Sequence, residues 1–434
     1  MSFINNVVTE IWRESGIAFQ ESYEKARKLD TQQLFEQLSS VELTTFGSDM
    51  INTTALVTSG CRYHISKNNK LGGCSMCDLH SDYQDIEAAM KALREKDKSL
   101  YAQVIRNSFI KKRGIIENRY LKEYILCHNF LDEQEINDDV LNSLFGKAGV
   151  FKKRPLYYEL ETNVTSIKTK SLDRLEKFVG KTGISFRLGI ECQNEWIRNH
   201  WLNKNTTNKQ IINSIELCHS RGYKITGNII IGIPGLTEEQ SLEEFKATVR
   251  WLSDISIDMY SVSILNRKEN TLQGFLYNNL SDNMQLNEIG IGQGRHTGIP
   301  WLFTIVEAIL WGLEEMPDFR QKFAYGQLVD THIPGKEYNT AYNDSYSCEC
   351  YQRLNTALGS LVLQNNWDEV FKISEWIKQD KCYDTYRKLL EKQKSAKDIP
   401  NTISIVGGEI AKTMWPDAWE QQVAKLNQEL TGFN

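Results

Sequence analysis

The sequence predicts an α/β fold: a partial parallel barrel of six βα units, (β/α)6, with a helical layer before it and a mostly helical extension after it. Apolar, β-rich runs recur at 53–58, 124–128, 156–161, 184–191, 223–232 and 258–265, with helical patterns such as DDVLNSLF, SLDRLEKFV and NKQIINSIELCHS between them. That alternation is the rhythm of a parallel sheet with helices outside. The rhythm stops after residue 270 with no seventh or eighth unit, so the barrel stays open. Three of the nine cysteines, Cys61, Cys74 and Cys77, follow directly after the first run. In parallel α/β folds ligands bind at the carboxyl ends of the strands, which places these thiols at the mouth.

In chain order, residues 1–50 read as one or two amphipathic helices, with Ile4, Val7, Val8, Ile11 and Trp12 at helical spacing. The barrel is expected over 51–270. A long helix is expected from about Asp85 to Arg106, and the basic stretch 107–120 reads as an irregular connection or a patch facing an anionic partner. A glycine-rich loop, IGIGQGRHTGIPWL, then opens the extension over 271–434, with an apolar helix beside Pro300 and later helices near 350–364 and 366–393.

Hydrophobic content of 41% and charged content of 25% are those of a globular protein. No apolar run has the roughly 18 residues that span a bilayer. The first residues carry neither a basic region nor a continuous apolar one, so no signal peptide is expected. An odd number of cysteines then points to a reducing compartment, and the expectation is a cytoplasmic protein without membrane contact. A net charge of −5 gives no broad attraction to nucleic acid.

The stretch 53–80, TTALVTSGCRYHISKNNKLGGCSMCDLH, carries the chemistry. Gly72 and Gly73 let the backbone turn tightly into the C-x-x-C pair. A four-iron cluster normally takes four cysteines, so three leave one iron open to a ligand. The same stretch also fits a Cys3His zinc set of Cys61, His64, Cys74 and Cys77, which would staple a non-catalytic binding protein.

Cys61 with GGCSMC resembles the cluster loop of the radical S-adenosylmethionine (AdoMet) superfamily. Twelve residues separate the first two cysteines, where that superfamily usually has three. Long first gaps are found in the branch of the Elongator catalytic subunit and the archaeosine-tRNA radical enzymes, and the GGC-x-M-C wording is closest to the archaeosine type. The resemblance implies a [4Fe-4S] cluster on Cys61, Cys74 and Cys77, with AdoMet on the open iron, cleaved to a 5′-deoxyadenosyl radical. It implies AdoMet contacts at Asn129, in the turn after the second strand, and at Glu191, whose carboxylate would accept from the ribose hydroxyls. Lys204 would pair with the AdoMet carboxylate. The GNIIIGIPG segment would meet adenine beside Ile233 and the ribose at Asn228.

Where the archaeosine type has Arg-Pro after an acid, this chain has Thr162 and Asn163, so the family's substrate does not transfer. Cys348 and Cys350 form a C-x-C pair, also similar to the archaeosine type, that with Cys382 or another donor would hold an auxiliary metal or cluster. Buried unligated thiols are the alternative. His296, on the glycine-rich loop, is the candidate substrate contact. A reducing partner of flavodoxin or ferredoxin type is implied. The acidic charge and the lack of a basic, aromatic-interleaved module favour a small metabolite, a nucleoside or amino acid in a biosynthetic pathway. The relatives' action on tRNA keeps base modification as the alternative.

Overall fold

The computed structural model describes residues 2–39, 44–47, 51–65, 71–78, 83–117, 121–180, 183–325, 340–345 and 348–433. Its sheet has eight strands in sequence order: β1 (Thr44–Gly47), β2 (Ile51–Ala55), β3 (Lys122–Leu126), β4 (Tyr157–Thr162), β5 (Gly183–Glu191), β6 (Lys224–Ile231), β7 (Met259–Ile264) and β8 (Phe323–Tyr325). The six expected strands are β2 to β7, and all five pairings among them are parallel. The predicted partial (β/α)6 barrel is therefore the fold.

Two short edge strands were not anticipated. β1 pairs antiparallel with β2, inside the stretch read as wholly helical, and β8 extends β7 in parallel, inside the extension. Four and three residues are too few to show a period of two in sequence. The first 38 residues form three helices, Phe3–Ile11, Arg13–Lys28 and Thr31–Leu38.

Where one helix was expected from Asp85, there are two, Gln84–Lys96 and Lys98–Arg113. Asp97 is extended and accepts from the amides of Ser99 and Leu100, so it caps the second helix and breaks the first. The stretch read as an irregular connection is thus helical through Arg113, while 118–120 lie outside the described residues. Arg113 binds the fully buried Glu123 at 3.2 Å. Because that helix packs on Glu123, the opposite face of β3, bearing Lys122 and Tyr124, is the concave one.

The helices after β8 include Glu349–Gln364, Trp367–Trp376, Lys381–Gln393, Ile399–Met414 and Trp419–Leu430. The span expected as 366–393 is broken at Asp380, which caps the third of these through the Cys382 amide. The two termini meet: the Phe3 amide donates to Glu429 at 2.9 Å, and the Trp196 indole to the Glu429 carbonyl. No described helix is long and apolar enough to cross a membrane.

Candidate active site

The cluster loop leaves the end of β2. Residues 66–70 and 79–80 of the predicted stretch lie outside the described residues. Gly73 has φ +97°, a conformation costly for any side chain, and a Cβ there would press on His64 Cα at 3.2 Å. The Cys74–Cys77 turn is anchored from two sides. The Ser75 amide and hydroxyl donate to the carbonyls of Leu202 and Trp201, and Asn203 Nδ2 donates to Gly73 O. The amide of Leu272 donates to Ser75 O, and Gln273 Nε2 to Met76 O.

The three thiols feel one another: Cys61 interacts with Cys74, and Cys74 with Cys77. Burial pushes the Cys74 thiol up to about 11, opposed by the Lys204 cation. Cys61 is raised further, by burial and by Glu135. Deprotonation therefore has to accompany metal binding. Among the described residues, the set of three or more ligand side chains whose donor atoms all lie within 4.8 Å is a different one, Cys348, Cys350 and Cys382. Cys61, Cys74 and Cys77 are not gathered within that distance.

His64 does not join them. Its Nδ1 bonds the Gly72 carbonyl, and its ring sits edge-on to Trp12 at 4.4 Å. The four-ligand Cys3His zinc set is not assembled.

Glu191 and Lys204 come together beside the thiols, and their side chains pair with each other at 2.8 Å. The expectation gave each a separate AdoMet group; here each is the other's counter-ion. Burial alone would lower the Lys204 pKa, but Glu191 and then Cys74 raise it well above the lysine range. Glu191 has φ +67° at a register shift in β5, which swings its carboxylate over Gly189. A Cβ on Gly189 would meet Lys204 Nζ at 2.7 Å and Glu191 Oε1 at 2.8 Å. Directly across from Gly189 in β6 stands Asn228, whose Oδ1 is buried without a hydrogen-bond partner. An unsatisfied acceptor beside a buried ion pair fits a polar ligand or a water there.

Asn129 is placed at the same mouth, but its side chain is committed. Its Oδ1 accepts from Thr162 Oγ1 at 2.6 Å and from the Asn163 amide, and its Nδ2 donates to Ser166 at 2.7 Å. Thr162, Asn163 and Ser166 thus hold it, and its backbone is what remains for a ligand.

Ile233 and His296 line one cavity of about 20 Å³, room for about one water, together with Gly232, Gly235 and Pro300. His296 is sandwiched between Trp301 at 4.3 Å and Tyr342 at 4.1 Å, and its Nε2 bonds the Asn343 carbonyl. Burial lowers its pKa to about 4, so it is neutral at pH 7.

The concave face carries a network that the sequence reading did not single out. Glu159 accepts from Lys122 at 2.6 Å, Arg187 at 3.2 Å and Thr226 at 2.9 Å. Arg187 also reaches Ser261 and lies over the Tyr124 ring at 4.4 Å, and Tyr124 donates to Glu161 at 2.8 Å. The available signal was polar residues at every second position of otherwise apolar strands, as in Glu159-x-Glu161 and Ser185-x-Arg187.

No family model matches the chain. An uncharacterized protein of Methanocaldococcus jannaschii is 23% identical over 72% of this chain and 75% of its own length. The archaeosine synthase subunit beta of Thermococcus kodakarensis is 20% identical over 61% of this chain and 72% of its own. Among solved structures, the Elp3 of Methanocaldococcus infernus matches at 16% identity and TM-score 0.40, over 61% of this chain and 59% of that one. The radical S-adenosylmethionine methyltransferase TsrM of Kitasatospora setae matches at 15% and 0.33, over 54% and 40%. The chain thus spans less than two thirds of these two structures, and at such scores the superpositions add nothing to the residue-level match. Three thiols after β2 of a partial (β/α)6 barrel, with Glu191, Lys204 and the GIPG turn following in order along the chain, resemble the archaeosine-type motifs of the radical S-adenosylmethionine superfamily.

Proposed function

We propose that this chain is a radical AdoMet enzyme with a [4Fe-4S] cluster and AdoMet as its cofactors, and that it acts on a small polar metabolite, of nucleoside or amino-acid type, in a biosynthetic pathway. Cys61, Cys74 and Cys77 would hold the cluster, which when reduced by a flavodoxin- or ferredoxin-type partner supplies the electron that splits AdoMet into methionine and a 5′-deoxyadenosyl radical. Lys204 and Glu191 would bind and orient AdoMet, the lysine pairing with its carboxylate and the glutamate accepting from its ribose hydroxyls. Asn228 Oδ1 accepts a further ribose hydroxyl, and the backbone at Asn129 and Ile233 meets the amino group and adenine.

The observation that supports a small substrate is the concave face itself. Lys122, Tyr124, Glu159 and Arg187 already fill its floor with paired charges, which suits a compact polar molecule held by directed hydrogen bonds. A second reading, modification of a tRNA base, is favoured by the archaeosine synthase relative and by one surface feature. The exposed Lys111 and Lys112 end one helix, and the Ile116–Phe151 bridge joins the segment after it to the segment carrying Lys152 and Lys153, a run of basic residues on an acidic chain.

Anaerobic, reconstituted protein should hold about four irons at this site. It should release 5′-deoxyadenosine with dithionite, slowly alone and faster with substrate, and Cys61→Ala, Cys74→Ala or Cys77→Ala should abolish both. Colourless protein that holds one zinc and never cleaves AdoMet would overturn the assignment. A salt-dependent tRNA shift, lost in Lys111→Glu/Lys112→Glu, would replace the small-metabolite reading with the tRNA one.

A further inference from the structure

Three thiols outside the mouth converge on one point. Cys348, at the N-cap of helix Glu349–Gln364, Cys350 in its first turn, and Cys382 in the first turn of helix Lys381–Gln393 place their sulfurs within 4.8 Å of one another. Two helix amino ends thus face the same spot. A tetrahedral zinc with Zn–S of about 2.3 Å puts its sulfurs about 3.8 Å apart. Cys348 Sγ and Cys350 Sγ lie 3.1 Å apart and all three sulfurs within 4.8 Å, a spread that brackets the spacing on one ion; the ligands of a cubane sit on separate irons and need a wider triangle.

A second, independent observation points to a ligand. Asn343 is fully buried, and its Nδ2 lies 3.3 Å from Cys350 Sγ, the contact an amide makes to a metal-bound thiolate. Its Oδ1 is buried in the same place without a hydrogen-bond partner.

This spot is wired to the AdoMet pocket. The carbonyl of the same Asn343 receives His296, and Tyr342, the residue before it, stacks on the His296 ring. The Leu302 amide donates to the Tyr342 carbonyl, which ties the segment to the helix that begins beside Pro300. His296 and Pro300 in turn form a wall of the cavity lined by Gly232 and Ile233.

We propose that Cys348, Cys350 and Cys382 bind a single zinc-type ion, and that this ion holds residues 341–345 in place so that Asn343 and Tyr342 hold His296 against the β6 turn. The ion is structural. Its fourth position is left for water or a non-cysteine donor. The clamp's effect on AdoMet rests on the functional reading above; the metal site does not.

The test uses the full chain carrying Cys61→Ala/Cys74→Ala/Cys77→Ala, so that metal at the mouth is not counted. Elemental analysis after dialysis should find about one zinc per chain, and cobalt(II) exchange should give thiolate charge-transfer absorption. Adding Cys350→Ser or Cys382→Ser should remove both. Should the triple variant fail to fold, zinc counted beside iron in the unmutated chain gives the same answer. Metal-free protein with three freely titrating thiols, or a Cys348–Cys350 disulfide, would overturn the site.

Hydrogen exchange then tests the clamp. Chelating zinc from the unmutated chain should speed exchange at amides of 293–302 and 341–345 by about tenfold or more; unchanged exchange would overturn the clamp and leave the ion. Cys382→Ser should also weaken AdoMet binding several-fold. If zinc and exchange respond but AdoMet affinity does not, the failure lies in placing adenine at the β6 turn.

Discussion

Removing the cation of the Glu191–Lys204 pair tests the site at its most sensitive point. In Lys204→Met the Glu191 carboxylate, 8% exposed, loses the partner that sits 2.8 Å away. Breaking a buried pair from one side costs about 3–5 kcal/mol. Lys204 keeps 17% of its side-chain surface, so partial solvation puts the expected loss near the lower end, about 3 kcal/mol. Glu191→Gln leaves the lysine unpaired and should cost a comparable amount. The double variant removes both charges and should recover about 2 kcal/mol relative to the sum of the singles. The assay is chemical denaturation of the apo chain for the parent, both singles and the double. Calorimetry of AdoMet binding runs alongside, because the two readouts must diverge. Stability should recover in the double, but affinity should not, since AdoMet needs both groups, and each lost charge-assisted hydrogen bond costs about 1.5–3 kcal/mol, or about ten- to a hundredfold. Singles within about 0.5 kcal/mol of the parent and additive in the double would refute the buried-pair argument. Unchanged AdoMet affinity in all three would refute the assignment of these residues to the cofactor.

Two further outcomes follow from the histidines. His64→Ala should keep its full iron content after reconstitution, because its ring is engaged by Gly72 and Trp12 rather than by the cluster; iron lost to background would restore the Cys3His arrangement. His296, held near pKa 4 by burial against an ordinary value of 6.5, stays neutral in the folded chain while the unfolded chain takes up a proton, so it lowers stability as pH falls from about 6.5 to 4. His296→Phe, which keeps the stack, should flatten that slope by up to about 1.4 kcal/mol per pH unit, and identical parent and variant slopes would rule out a neutral, buried imidazole.

The local code already specified much of this protein. Six βα units, the three cysteines Cys61, Cys74 and Cys77 after the first strand and the placing of Glu191 at a strand end are written in runs of neighbouring residues, whose periodicity and spacing report directly on local structure. Short elements escaped that code: β1 and β8 are strands because a partner edge lies beside them, and Asp97 breaks a helix because its side chain caps the next one. The pairing of Glu191 with Lys204, thirteen residues apart, depends on a bulge and a left-handed residue that no pattern announces. The thiol set lies further still from the local code. Cys348 and Cys350 are adjacent by spacing, but Cys382 reaches them only because two helices bring their amino ends to one point. Periodicity can assign a face to a strand or helix; which faces then meet is decided by packing across the whole chain, and the chemistry of Asn228, Arg187 and Cys382 lies in those meetings.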